Sequence, residues 1–139
     1  MSASNLYSQY RQNAVATANP AQMSEMMYGG IVKFLKQAIE HMENDNIQEA
    51  HNAIIKAQDI FEYLAETLNE KVDISLNLAL LYDYAYRRLI DANISKDITI
   101  LREVLSLSEE LREAWQEARE SLTKEAATAP RPDNTNKLV

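Results

Sequence analysis

"LNLALLYDYAYRRLIDAN", residues Leu76 to Asn93, decides how this chain folds. Placed on a helix at about 100° per residue, its apolar positions fall on more than one side. Leu78, Leu81, Ala85 and Leu89 form one stripe, with Ile74 above and Ala92 below. Leu76, Leu80 and Tyr84 form a second, well round from the first, and Arg87 follows near the same side. A surface helix that packs on one core needs one stripe. Two readings of the second are open. An inner helix with neighbours on two sides is buried over a wide arc, and the extra residues then need no partner. Alternatively the stripe is a binding face. Tyr and Arg combine area with a polar handle and are enriched where one protein grips another, and an apolar groove edged by them suits an amphipathic helix. The residue types favour the binding face.

Outward from this stretch, three more helices can be read. The chain has two glycines and three prolines in 139 residues, too few breakers for an all-β fold with many turns. The first helix starts at "ANPAQ", with Asn19 as N-cap, Pro20 at the first helical position and Gln22 at a capping-box-like spacing. Met23, Met27, Gly30, Phe34 and Met42 lie broadly on one side, and "ENDN" ends the helix near Asn44. The second starts after Asp45 or Asn46 and ends near Glu70. Ile47, Ala50, Ile54, Ala57, Phe61, Leu64 and Leu68 step along it by threes and fours, the seam of bundle packing. The third starts near Asp73, a candidate N-cap, and ends around "DANIS". The fourth runs from about Asp97 to Lys124, with Leu101, Val104, Ser108, Leu111, Trp115, Ala118 and Leu122 on its seam. Long helices with short connections make neighbours antiparallel. The expected fold is all-α: an antiparallel up-down-up-down four-helix bundle over residues 19–125, with a mobile N-terminal segment at 1–18. Residues 126–139 form a polar, proline-bearing tail, expected to be disordered. Phe34, Ile54, Phe61, Leu64, Leu81, Leu89, Leu111 and Trp115 are the expected core.

Composition excludes several function classes. Lys and Arg number 14 against 21 Asp and Glu, a net charge of −7. An acidic chain is ill suited to a nucleic-acid backbone, whose phosphates need a basic face. No apolar run approaches the ~18 residues of a membrane span, and "MSASNLYSQYRQN" lacks the basic and apolar regions of a signal peptide. There is no cysteine, which fits a reducing compartment such as the cytoplasm.

Candidate chemistry is thin. His41 and His51 lie near acids, but neither has a Glu three residues before it, the spacing of an inward-facing di-metal site. They read as solvated surface histidines. No nucleophile elbow or glycine loop is present, and the many carboxylates read as a solvated face. No enzyme activity, cofactor or metal is expected. Tyr28-Gly29-Gly30 is unusual, because a glycine inside a helix costs about 1 kcal/mol relative to alanine. Gly30, on the inner side, suits close approach of another helix; Gly29 has no explanation in the pattern. Met23, Met26, Met27 and Met42 read as adaptable core rather than as a binding surface. Tyr7 and Tyr10 stand in an otherwise polar stretch and could cover an apolar groove until a partner displaces them, or grip the partner themselves.

"YSQYRQNAVATANPAQMSEMMYGGIVKFLKQA", "LALLYDYAYRRLIDANI" and "EAWQEA" together resemble the FliS family of flagellar secretion chaperones. Tyr10, Val15, Thr17, Ala18 and Pro20 fit the family's pattern before the first helix. Leu78, Leu81, Tyr82, Asp83, Tyr84, Arg87, Arg88, Leu89, Ala92 and Asn93 fit that of the third helix, and Trp115 fits a late tryptophan. The resemblance covers residues 7 to about 120, and its order and spacing are specific where single pieces are not. Where the family often has Tyr-Asp-Gly, this chain has Tyr28-Gly29-Gly30. The resemblance implies an ATP-free, one-to-one cytosolic chaperone. Its client would be the C-terminal segment of flagellin, disordered when free and helical when wrapped around the bundle. The chaperone would prevent premature polymerisation and hand the subunit to the flagellar export gate. An anti-sigma factor is the second client the resemblance admits, and a homodimer the alternative state of the free protein. The residues assigned to partner binding are Tyr7, Tyr10, Leu76, Leu80, Tyr84 and Arg87. A reading of another class also fits the residues alone: a structural or signalling bundle that self-associates through the second stripe.

Overall fold

The computed structural model describes residues 20–68 and 74–128. They form four α-helices and no strand: α1 Pro20–Glu43, α2 Ile47–Glu66, α3 Ile74–Ser95 and α4 Ile98–Thr128. Helix α1 packs on α2 and α4, and α3 closes the ring by packing on α2 and, least extensively, on α4. Pairs across the seams fix the directions. Glu25–Arg119, Lys36–Glu109 and Glu43–Arg102 run in opposite order along α1 and α4. His51–Asn93 and Phe61–Tyr82 do the same for α2 and α3. This is the antiparallel bundle that the three/four stepping predicts.

Two short turns are built alike. After α1, the Asn46 N–H donates to the His41 carbonyl at 2.8 Å and the Asp45 N–H to that of Met42 at 3.2 Å, with Asp45 at φ 59°. After α3, the Asp97 N–H donates to the Ala92 carbonyl at 3.2 Å, with Lys96 at φ 52°. Both are Schellman-type closures with one left-handed residue, which satisfy the last carbonyls and reverse the chain at once. The Asp97 carboxylate then accepts the Thr99 N–H at 2.8 Å and caps α4.

Two boundaries differ from the expected ones. Helix α2 ends at Glu66, before Glu70. There the Thr67 N–H and hydroxyl both donate to the Tyr63 carbonyl, at 3.1 and 3.0 Å. Helix α4 continues to Thr128, past Lys124. Ala126 and Ala127 are strong helix formers, and Pro130, which cannot continue a helix and disfavours helix for the residue before it, comes after Thr128. The caps expected at Asn19 and Asp73 lie outside the described residues.

The core includes Ile31, Leu35, Ile54, Ile60, Phe61, Leu89, Leu101 and Val104, all essentially without solvent contact. Of the expected core, Phe34, Ile54, Phe61, Leu64 and Leu89 are buried, whereas Leu81, Leu111 and Trp115 are only half-buried. On α3 the place expected for Leu81 belongs to its neighbour Tyr82, which shares the buried side with Ala85, Leu89 and Ala92. Periodicity cannot separate adjacent positions at the edge of an arc. On α4 Leu111 sits at the edge of the buried arc set by Leu101, Val104 and Ser108, and for Trp115 the cause is length: the Arg88–Glu103 pair sets a register in which α3 begins near its level, so α4 outlasts its neighbour. Ala118, beyond that level, is exposed despite its place on the seam. Ile47 is exposed because it opens α2 at the end of the bundle.

One layer draws an aromatic residue from each helix. Tyr28 of α1 stacks edge-on to Trp115 of α4 with ring centroids 6.2 Å apart, and Phe61 of α2 lies 6.1 Å from Tyr82 of α3. Tyr28 and Tyr82 meet across the diagonal, where their hydroxyls hydrogen-bond to each other. Each buried phenol thus has its polar atom satisfied inside the core.

Candidate protein-binding face

Helix α3 turns Ala85, Leu89 and Ala92 inward, which points Leu76, Leu80 and Arg87 almost directly away from the core. The large apolar residues exposed among those described are Ile47, Leu76, Leu80, Tyr84 and Ile94. Four of the five lie on α3. Leu76 is 69% exposed, Leu80 63%, Tyr84 40% and Ile94 80%. A wide buried arc would have covered them, so the reading of α3 as a helix buried on two sides is overturned. The second stripe faces outward.

Ile94 belongs to the same face, although it was not among the residues assigned from the sequence. It follows Leu76 by 18 residues, about five turns and about 27 Å along the helix, and so points the same way. Its position in the closing "DANIS" hid that phase. Between the apolar ends the face is charged. Arg87 pairs with Asp83 at 2.9 Å, both exposed. A shallow depression of about 400 Å³ is lined by Tyr84, Arg87, Arg88, Ile90 and Asp91.

The side of this face nearest α4 is tied down. The Tyr84 hydroxyl donates to Glu103 Oε2 at 2.6 Å, and Arg88 Nε donates to Glu103 Oε1 at 3.0 Å. Arg88 also reaches Asp91 at 3.4 Å. The hydrogen bonds from Tyr84 and Arg88 hold the Glu103 carboxyl below its usual range. The same bond to Glu103 pushes the Tyr84 phenol up, and Arg88 is raised as well. Glu103 was missed in the sequence because nothing along one chain marks a partner across a seam. The two-residue turn after α3 was the available signal, since it sets which residues of α3 and α4 face each other.

Elsewhere, His51 Nδ1 lies 3.1 Å from Asn93 Oδ1, which also accepts from Lys96 Nζ at 2.6 Å. That network closes the α2–α3 seam at the turn end and leaves His51 a structural role. Among the described residues no helix is long and apolar enough to cross a membrane, and no cluster of His, Asp and Glu is arranged to hold a metal ion. Tyr7 and Tyr10 lie outside the described residues.

Comparison with known proteins agrees with this architecture. The family model described as flagellar protein FliS matches residues 3–122. A flagellar secretion chaperone FliS of Bacillus subtilis is 39% identical over 125 residues, 90% of this chain and 94% of its own length. The corresponding chaperone of Escherichia coli is 33% identical over 110 residues, 77% of this chain and 81% of its own. A crystal structure described as a flagellar chaperone from bacteria superposes with a TM-score of 0.70, covering 84% of this chain and 97% of its own, at 20% identity, which speaks for the fold alone. On the match over residues 3–122 and the identity to two relatives, the chain belongs to the FliS family of flagellar proteins.

Proposed function

We propose that this protein is a cytoplasmic export chaperone that binds the C-terminal segment of flagellin, prevents its premature polymerisation and delivers it to the flagellar export gate. The observation that carries the reading is the outward face of α3. It holds Leu76, Leu80 and Ile94 in water, and each would contribute about 1.5–3 kcal/mol on burial. Exposed apolar residues gathered on one face mark a partner site. A client that is unfolded when free can lay an amphipathic helix along such a face, ordering only as it binds. Leu76, Leu80, Tyr84 and Arg87 form the proposed contact surface, with Ile94 added at its far end. Tyr7 and Tyr10 are proposed to cover this surface before the client arrives, so deletion of residues 1–14 should speed association with flagellin. The family match gives no support to a self-associating signalling module. An anti-sigma factor would compete for the same face if it is a second client.

The test is the mass in solution of the protein alone and mixed with the flagellin C-terminal segment. A one-to-one complex is the expected result. A homodimer that persists and ignores flagellin would refute the reading.

A further inference from the structure

We propose that Glu103 of α4 is a positioning residue for the client-binding face of α3. This rests on the reading of that face given above. Both carboxylate oxygens of Glu103 are engaged, Oε2 by the Tyr84 hydroxyl and Oε1 by Arg88 Nε. One residue of α4 therefore fixes two long side chains on α3. Arg87, one position along, is held separately by Asp83 and does not touch Glu103. The tie comes at the seam where the bundle is weakest, since α3 packs least extensively on α4.

The physical consequence lies in the free state. Tyr84 is 40% exposed, so its ring stands at the surface, and its hydroxyl is held there by the exposed Glu103 carboxylate. Without the anchor the ring and the Arg88 guanidinium would sample several rotamers, and a client would have to order them on binding. Immobilising a side chain of this kind weakens binding roughly three- to tenfold. Glu103 moves that ordering into the folding of the chaperone, which then presents a preformed face. Hydrogen bonds from two donors also keep Glu103 ionised, which strengthens both bonds.

The test is a double-mutant cycle on affinity for the flagellin C-terminal segment. It uses the full chain with Glu103→Ala, Tyr84→Phe and the two combined. Tyr84→Phe keeps the ring and removes only the tied hydroxyl. Glu103→Ala is expected to weaken binding about three- to tenfold, and to have clearly less effect in the Tyr84→Phe background than alone. Glu103→Gln, which retains an acceptor oxygen, is expected to restore part of the loss. Multiplicative losses would mean that Glu103 acts independently of the Tyr84 hydroxyl, and would overturn the proposal. So would a fall in melting temperature with affinity unchanged, the mark of a simple α3–α4 staple. If Glu103→Ala melts without cooperativity, the cycle is run with Glu103→Gln in its place. Leu80→Ala is the control for the face itself: wild-type binding with no loss on Leu80→Ala would refute the face and the positioning role together. A loss with Leu80→Ala and none with Glu103→Ala would refute the positioning role alone.

Discussion

Tyr28 and Tyr82 show at the scale of single residues what the sequence hid. Tyr82 sits two positions from Tyr84 in one motif, yet one phenol is buried across the bundle from Tyr28 and the other stands at the surface. Only a one-residue difference in helical phase separates Tyr82 from Leu81, and composition cannot resolve it. Removing one hydroxyl leaves the other buried and unpaired, so Tyr82→Phe should cost about 1–3 kcal/mol, whereas the Tyr28→Phe/Tyr82→Phe double variant should be closer to neutral. Chemical denaturation of the two variants beside the parent protein checks this; equal losses in the single and double variants would contradict it. Burial raises both phenols above the usual value of 10.0. The unfolded chain therefore loses these protons first, so their contribution is complete below about pH 10 and is lost as pH rises through the folded values. Melting temperature should fall above that pH, and fall less in the double variant. Gly29 is the second residue that the pattern left unexplained. A Cβ there would lie 3.8 Å from Arg112 Cζ, an ordinary contact, and its φ is not positive. The fold does not require glycine. Gly29→Ala should raise stability by about 1 kcal/mol, read from the same denaturation curves. Lower stability would show that Arg112 cannot give way. An acid at this position would face the Arg112 guanidinium.

At the scale of elements, the helices were legible because burial imposes a three/four spacing and caps leave short polar signals. Pro20 opens α1 as expected, and the seams of α2 and α4 place Ile54, Phe61, Leu101 and Val104 in the core. Helix ends were legible only in part. The end of α2 at Glu66 leaves no signal in the sequence, and the length of α4 past its neighbour leaves Trp115 half-buried. The turns carry a testable strain. Asp45 holds a left-handed φ of 59° that glycine adopts without steric cost. Asp45→Gly should therefore stabilise the protein by roughly 0.5–1 kcal/mol, after allowing for the greater freedom of glycine in the unfolded chain. A rise in thermal midpoint checks it, and a fall would show that the Asp45 side chain contributes more than its strain costs. Lys96 is a poorer site for the same change, because its ammonium also bonds Asn93 Oδ1 at 2.6 Å.

At the scale of the whole molecule, one core and one outward face share the same helix. The aromatic layer and the seams make the bundle stable without Leu76, Leu80, Tyr84 or Ile94, all of which the fold leaves exposed. The sequence revealed this as a surplus stripe, because a helix carrying more apolar residues than its core needs must use them elsewhere. Ile94, about five turns beyond Leu76, was legible by phase and was passed over, whereas Glu103 as the anchor depends on the register across a seam, which the short turn after α3 only constrains. The most direct test of the central claim is the affinity of the Leu80→Ala/Tyr84→Ala double variant for the flagellin C-terminal segment, measured alongside its thermal melt. Loss of a buried aromatic anchor costs about 2 kcal/mol or more, roughly thirtyfold in affinity. A loss of at least about that size is expected, in a bundle that still melts cooperatively. Wild-type affinity in the double variant would contradict it.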